Sequence, residues 1–392
     1  MATSRETWLA EHEPSDWYNV AVPEATMLDH VTITKGTCFA LFAYDIGLSI
    51  NLTEAQQRIL EGTERSHLRH KTRAPQYFEY RPAPLRLVRE GNAFEISHYQ
   101  ASPTVEVMVY DFGAVTITYR LLINGPFHQL LELSESLYEN ERLLTESRTR
   151  VEQLVQTLGP AIERPAIADD VEDYIIFSIE SAVPEVPPLW KSNETDLAQI
   201  LRAERTPFSE QEVADALSCR ISFGREDMTF VDWHSAVLFG KEMDDVRAVL
   251  EFANVELLEM RILDEQLDRA LDEGYEALSR KPRLLSLPGS HEKDMTHIAQ
   301  LQVDNALIFE RVTNTLKLLG DQYLARVSRL VSQRFHLEAW DASILRKLQT
   351  LESIYSKMSD RAGTRRMEVL EWIIIVLIAL SIAVSFFPVS QR

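Results

Sequence analysis

The stretch "VLEFANVELLEMRILDEQLDRAL", Val249 to Leu271, sets the reading of the chain. It belongs to an apolar seam formed by Val246, Leu250, Ala253, Leu257, Met260, Leu267, Leu271 and Leu278. Steps of three and four are the spacing of one helix face, so residues 242–280 read as one long helix of heptad-like character. Asp264 and Gly274 fall on seam positions and interrupt it. A buried Asp needs a partner, and Arg326 or Arg329 is the expected one.

Downstream, Phe309, Val312, Leu316, Leu319, Tyr323, Val327 and Leu330 mark a second helix over 294–335, and a third is expected over 341–358. Antiparallel packing of the first two buries both seams. Upstream the style differs. "TCFALFAYDIGLSINL" and "TVEVMVYDFGAVTITYRLLI" read as strands broken at turns. Tyr44-Asp45-Ile46-Gly47 and Tyr110-Asp111-Phe112-Gly113 echo one another, with Gly supplying a backbone angle that other residues resist. A polar helix is expected over 127–158, a strand at Asp173–Glu180, short helices near 194–204 and 209–219, and a strand pair within Asp227–Gly240.

The fold class expected is therefore an α+β N-terminal region, a long α-helical hairpin or coiled-coil region, and a single C-terminal transmembrane helix. The divisions are an extension at 1–27, an α+β domain at 28–240, a helical region at 241–366 and a tail anchor at 367–390. The anchor rests on an uncharged run from Trp372 to Val389 that includes Ile373, Ile374, Ile375, Phe386 and Phe387. Its length is close to the roughly 20 residues that cross a bilayer. Arg361, Arg365 and Arg366 precede it and only Arg392 follows. The positive-inside rule then places the bulk of the chain in the cytoplasm. The N-terminus has no apolar signal core, and Glu6, Glu11, Glu13 and Asp16 are unlike a transit peptide.

The net charge is −20, from 60 acidic against 40 basic residues, which disfavours wholesale nucleic-acid binding. Cys38 and Cys219 stand alone, without a disulfide or zinc pattern.

Three stretches together carry a resemblance: Val249 to Leu271, "LGDQYLARVSRLVSQRFHLEAWDASILRKLQTLESIY" (Leu319 to Tyr355) and "RRMEVLEWIIIVLI" (Arg365 to Ile378). They resemble the "required for meiotic nuclear division" family. The resemblance implies one C-terminal membrane span and no established catalytic activity. Its animal members sit at the mitochondrial inner membrane and support organellar translation, and its fungal members are linked to sporulation. Without a transit peptide, this chain is expected to be a bacterial member held at the inner membrane.

Asp264, Asp268 and Asp272 lie at i, i+4 and i+8. That face either offers oxygen ligands to a divalent cation or is solvated and paired with Arg261 and Arg269. Glu259, Arg261, Asp264 and Asp268 are the candidate motif residues. "RSHLRHKTRAPQYFEYRP" sets Arg65, Arg69, Lys71, Arg73 and Arg81 among aromatics. It is either a local anion-binding patch for RNA or lipid headgroups or a charged loop before an edge strand. Asp232-Trp233-His234 has no Ser or Cys in a nucleophile context beside it, and P-loop, dinucleotide and zincin motifs are missing from the sequence. No cofactor, resident metal or catalytic residue is expected.

The function expected is a membrane-anchored scaffold that recruits a protein or ribonucleoprotein partner, itself a homo-oligomer. The alternatives are an oligomeric ion transporter or channel subunit and a metal-dependent hydrolase using Asp264 and Asp268.

Overall fold

The computed structural model describes residues 31–63, 83–91, 93–183, 189–279, 290–315 and 322–386. The strands are β1 (Thr32–Asp45), β2 (Ser49–Ile50), β3 (Leu85–Glu90), β4 (Glu95–Ile96), β5 (Tyr99–Gln100), β6 (Thr104–Val109), β7 (Ala114–Pro126), β8 (Ile162–Glu163), β9 (Glu172–Val183), β10 (Arg220–Ile221), β11 (Met228–Val231) and β12 (Ser235–Phe239). The helices are α1 (Leu52–Thr63), α2 (Leu130–Leu137), α3 (Glu141–Leu158), α4 (Leu189–Ser192), α5 (Glu194–Arg202), α6 (Glu210–Ala216), α7 (Asp244–Ser279), α8 (Ser290–Thr315), α9 (Gln322–Arg334) and α10 (Leu337–Phe386).

Eight strands form one sheet in the order β10-β11-β12-β9-β1-β7-β6-β3. All neighbours are antiparallel except β12 and β9, which run parallel. The sheet is covered on both faces. Cys38, Ala40, Phe42 and Tyr44 of β1 point into a core shared with α1, α2, α3 and α5. Phe39 and Leu41 point into the opposite core with α7 and α9, and Ala43 joins α7 and α10 there. A strand buried on both sides needs apolar residues at every position, which is why Cys38 to Tyr44 is an unbroken apolar run buried throughout. The seam on α7 is buried against the sheet through Val246, Val249 and Leu250 and against α10 further along.

Local chemistry breaks one of the expected long helices. Residues 127–158 divide into a 3₁₀ turn, α2 and α3. The break is at Glu139, whose φ is 47°, and Asn140 caps α3 by accepting from the Leu143 amide at 3.0 Å. The expected helix over 294–335 is represented by α8 and α9, and residues 316–321 between them lie outside the described residues. Between α9 and α10, His336 adopts a φ of 52° and ends the helix.

The expected single transmembrane helix is corrected. Among the described residues no helix is long and apolar enough to cross a membrane. Trp372, Ile373, Ile374 and Ile375 lie on the last part of α10, which ends at Phe386. That finding overturns the expected tail anchor. The one-span membrane partner and the single-pass inner-membrane localisation lose their support with it. Phe387 lies outside the described residues, as do Arg65, Arg69, Lys71, Arg73 and Arg81.

Candidate functional site

The two Tyr-Asp-x-Gly echoes meet in space. The turn after β1 and the turn between β6 and β7 are joined by the Ile46 amide donating to Gly113 O at 3.0 Å and the Ile50 amide donating to Asp111 O at 2.8 Å. Asp45 folds its own turn, with Oδ1 accepting from the Gly47 amide at 2.8 Å. Gly113 has a φ of 110°, and a Cβ there would fall 1.8 Å from Gly47 O. Only glycine fits both that angle and that approach.

Over these turns lies a face of α7 carrying buried acids. Glu251, Glu256 and Glu259 are all buried. Burial, followed by the neighbouring charge of Asp45, holds the Glu259 carboxyl well above the usual range. Burial lifts Asp45 itself to about 6, against the pull of the Gly47 amide. Burial raises Asp111 as well, opposed by Arg311. Glu256 is pushed up to about 8 by burial and then by Asp341 on α10. Glu256 Oε2 and Glu259 Oε1 have no hydrogen-bond partner. At about 8, Glu256 is therefore held as a neutral acid at neutral pH.

Toward its N-terminus the same helix meets arginines. Thr116 donates to Glu251 Oε1 at 2.6 Å, and Arg247 reaches Glu251 at 3.5 Å and Glu106 at 3.7 Å. Arg86 forms an ion pair with Glu106 at 2.7 Å. Burial opposes the Glu106 charge, but Arg247 and Arg86 outweigh it and hold the group below its ordinary value. Arg247 also lies 4.7 Å above the Phe39 ring. Burial raises the Glu251 carboxyl against the pull of Arg247, whereas no arginine opposes the rise at Glu256 and Glu259.

A second ionic centre forms at Asp232-Trp233-His234, the turn between β11 and β12. Asp232 is 1% exposed. It accepts from Arg202 Nε at 3.0 Å, Arg334 Nε at 2.9 Å and the Trp233 amide at 2.7 Å. Burial drives His234 down to about 4, so it is neutral, and its ring sits 4.7 Å from Tyr138. The motif joins α5, the β11–β12 turn and α9. It contains no activated nucleophile.

The candidate motif residues fall on separate faces of α7. Glu259 is in the acid stripe. Arg261 pairs with Glu172. Asp264 and Asp268 converge on Lys347 of α10, at 2.8 and 2.6 Å, and Ser343 approaches Asp264 at 3.3 Å. Lys347, rather than Arg326 or Arg329, is thus the partner of the seam Asp. Its ammonium stands where a bound cation would have to sit. Among the described residues no group of three or more His, Cys, Asp or Glu side chains could hold a metal ion. Arg361 donates to Leu278 O at 2.7 Å and ties α10 to the end of α7. Arg365 and Arg366 lie in the same helix. Sequence reasoning missed Glu256, Arg202 and Arg334. The available signal for Glu256 was a Glu among the closely spaced apolar residues Val255, Leu257 and Leu258.

A sheet packed on both faces, with a long helix spanning its back, defines a structural class without a recognisable catalytic centre among the described residues. The chain belongs to the family described as uncharacterized protein MJ0711, N-terminal domain, whose model matches residues 35–245. It is 20% identical over 289 residues to uncharacterized protein MJ0711 of Methanocaldococcus jannaschii, an alignment covering 73% of this chain and 83% of that protein. No solved structure matches. The match corrects the expected membership of the meiotic nuclear division family. That resemblance rested on an amphipathic seam and an apolar tail, patterns that many helical proteins share.

Proposed function

We propose that the protein is a scaffold that recruits a polypeptide partner through the distal arm of α10. The observation that carries this reading is the arm's exposure. Met367 and Trp372 are each 67% exposed, and Ile373 to Ile378 lie between 48% and 58%. Consecutive residues point around the whole helix, so the arm is apolar on every side. An apolar surface of this extent marks an interaction site. The net charge of −20 favours a protein surface over direct contact with RNA. The hydrolase alternative has Lys347 against it, because its ammonium already satisfies Asp264 and Asp268.

The test is proximity labelling in native cells, comparing the full chain with a version ending at Arg366. Ile344, Leu351, Ile354 and Met358, which pack α10 into the core, remain in the shorter chain. Protein neighbours present only with the arm are the expected result. An unchanged neighbour set, or an arm that brings the chain down with lipid alone, would overturn the reading.

A further inference from the structure

The β11–β12 turn gathers a row of rings from three parts of the chain. The Trp233 ring lies 5.0 Å from that of His336, at the junction of α9 and α10, and Arg334 stands 5.8 Å from the indole. The His234 ring lies 4.7 Å from that of Tyr138, the residue after α2. Trp233 is 48% and Tyr138 49% exposed, and His336 is exposed as well. Among the described residues outside the distal arm of α10, four Phe, Tyr or Trp side chains are exposed, and two of the four stand on this row. His336 precedes the first residue of α10, so the row is a surface separate from the arm.

The turn beneath the rings is fixed. Asp232 Oδ1 accepts from the Trp233 amide at 2.7 Å and from Arg334 Nε at 2.9 Å, and Tyr174 donates to Asp232 O at 2.9 Å. An exposed Trp and Tyr on a rigid support offer a large contact area at little entropic cost, which is the property of interface anchors. Charge then selects the partner. Arg334 is bound by Asp232 and Asp215, and Arg202 by Asp232, Asp215 and Glu212. Burial keeps His234 neutral. Glu139, next in sequence to Tyr138, is exposed. Both guanidiniums are thus committed to carboxylates, and the four acids around the row outnumber them. The Asp215 side chain remains 56% exposed and keeps lone pairs to offer.

The geometry points to the row of Tyr138, His234, Trp233 and His336 as a docking surface for a basic segment of another polypeptide. A Lys or Arg side chain of that segment lies against the exposed half of the Trp233 indole, the ring that attracts a cation best. Neighbouring basic residues meet Glu139 and Asp215. The surplus of carboxylates and the net charge of −20 steer such a segment in. A single-stranded nucleic acid could stack on the same rings, but it brings phosphates to a rim that already holds excess negative charge. A purely apolar segment would cover the carboxylates without pairing them, which costs free energy.

The experiment is fluorescence-anisotropy titration of the full chain against three labelled probes. They are a twelve-residue peptide of alternating Arg and Ala, the same peptide with neutral citrulline for Arg, and a twelve-nucleotide RNA strand. Saturable binding of the Arg peptide is expected, with the citrulline peptide about tenfold weaker or more. Trp233→Ala should weaken the Arg peptide about tenfold, and Trp233→Phe, which keeps a ring, less than that. Glu139→Gln should weaken it about threefold. Glu265→Gln, at an exposed acid far along α7, should change it less than about twofold. In the unmodified protein the Trp233 indole N–H resonance should shift on adding the Arg peptide while that of buried Trp190 stays in place, which reads the site even if a variant fails to fold. An unshifted Trp233 resonance, equal weakening by Glu265→Gln and Trp233→Ala, a citrulline peptide that binds as well as the Arg peptide, or an RNA strand that binds more tightly would each overturn the assignment.

Discussion

Arg334, the last residue of α9, donates through Nε to Asp232 Oδ1 at 2.9 Å, although 102 residues separate them. This contact fastens the helical layer to the β11–β12 turn. Arg202 approaches the other carboxylate oxygen at 3.0 Å. Asp232→Ala removes the acceptor for both. Asp215 still accepts from Arg202 at 2.7 Å and from Arg334 at 3.2 Å, so the arginines are not wholly orphaned. The expected loss is about 3 kcal/mol, the low end for breaking a buried pair. It is measured as a lower urea midpoint with an unchanged m-value. A loss below ~1 kcal/mol would mean that the centre is effectively solvated.

Glu256 predicts a pH dependence with a definite sign. Its folded-state pKa is about 8, against roughly 4.3 for a free Glu. Between those values the folded chain holds a proton that the unfolded chain has released. Stability is therefore fully present below about pH 4, falls as pH rises through the window, and levels off above about pH 8. Glu256→Gln removes the titration. The stability difference between Glu256→Gln and the unmodified protein should move in the variant's favour by on the order of 2–4 kcal/mol from pH 5 to pH 8. Denaturant titrations at several pH values measure it, and parallel curves would refute a buried neutral Glu256.

The close approach of the two turns separates two glycine effects. At Gly113 a Cβ meets both an unfavourable φ of 110° and the Gly47 carbonyl, whereas at Gly125 it meets a φ of 115° and only Gln129 Oε1 at 3.4 Å. Gly125→Ala should cost about 1–2 kcal/mol from backbone strain alone. Gly113→Ala should cost at least ~2 kcal/mol more or prevent folding, because the obstacle is backbone. Thermal melts of the two variants make the comparison. Equal costs would mean that the turns can separate.

The sequence made some of this legible. The three-four spacing from Val246 to Leu278 announced α7, and the repeated Tyr-Asp-x-Gly marked two turns with glycine-dependent angles. It could not show that the turns touch, because a hydrogen bond from Ile46 to Gly113 leaves no trace in local pattern. The unbroken run Cys38 to Tyr44 signalled a strand, while its burial on both faces depended on where α7 would dock. Asp264 was readable as a seam residue in need of a cation. Which cation it met was fixed by the register of α10 against α7, and that register brought Lys347. The apolar end of α10 was read as a bilayer span because composition alone does not distinguish a span from an exposed helical arm.

Lys347 supplies the last prediction. Its ammonium bridges Asp264 and Asp268 at 2.8 and 2.6 Å, and burial lowers its pKa less than the two carboxylates raise it. The lysine and Asp264 are largely shielded, whereas Asp268 is well exposed, so the bridge lies between the surface and buried regimes. Lys347→Gln should cost about 1 kcal/mol, with α10 loosened from α7 and faster amide exchange around Ser343 to Leu351. The same variant tests the carboxylate ladder. With the ammonium in place, millimolar Mg²⁺ or Ca²⁺ should leave the melting temperature of the unmodified protein unchanged. With it removed, either cation should restore part of the lost stability, because two converging carboxylates are left without their counterion. A melting temperature that rises with Mg²⁺ in the unmodified protein would show instead that the ladder binds metal despite Lys347.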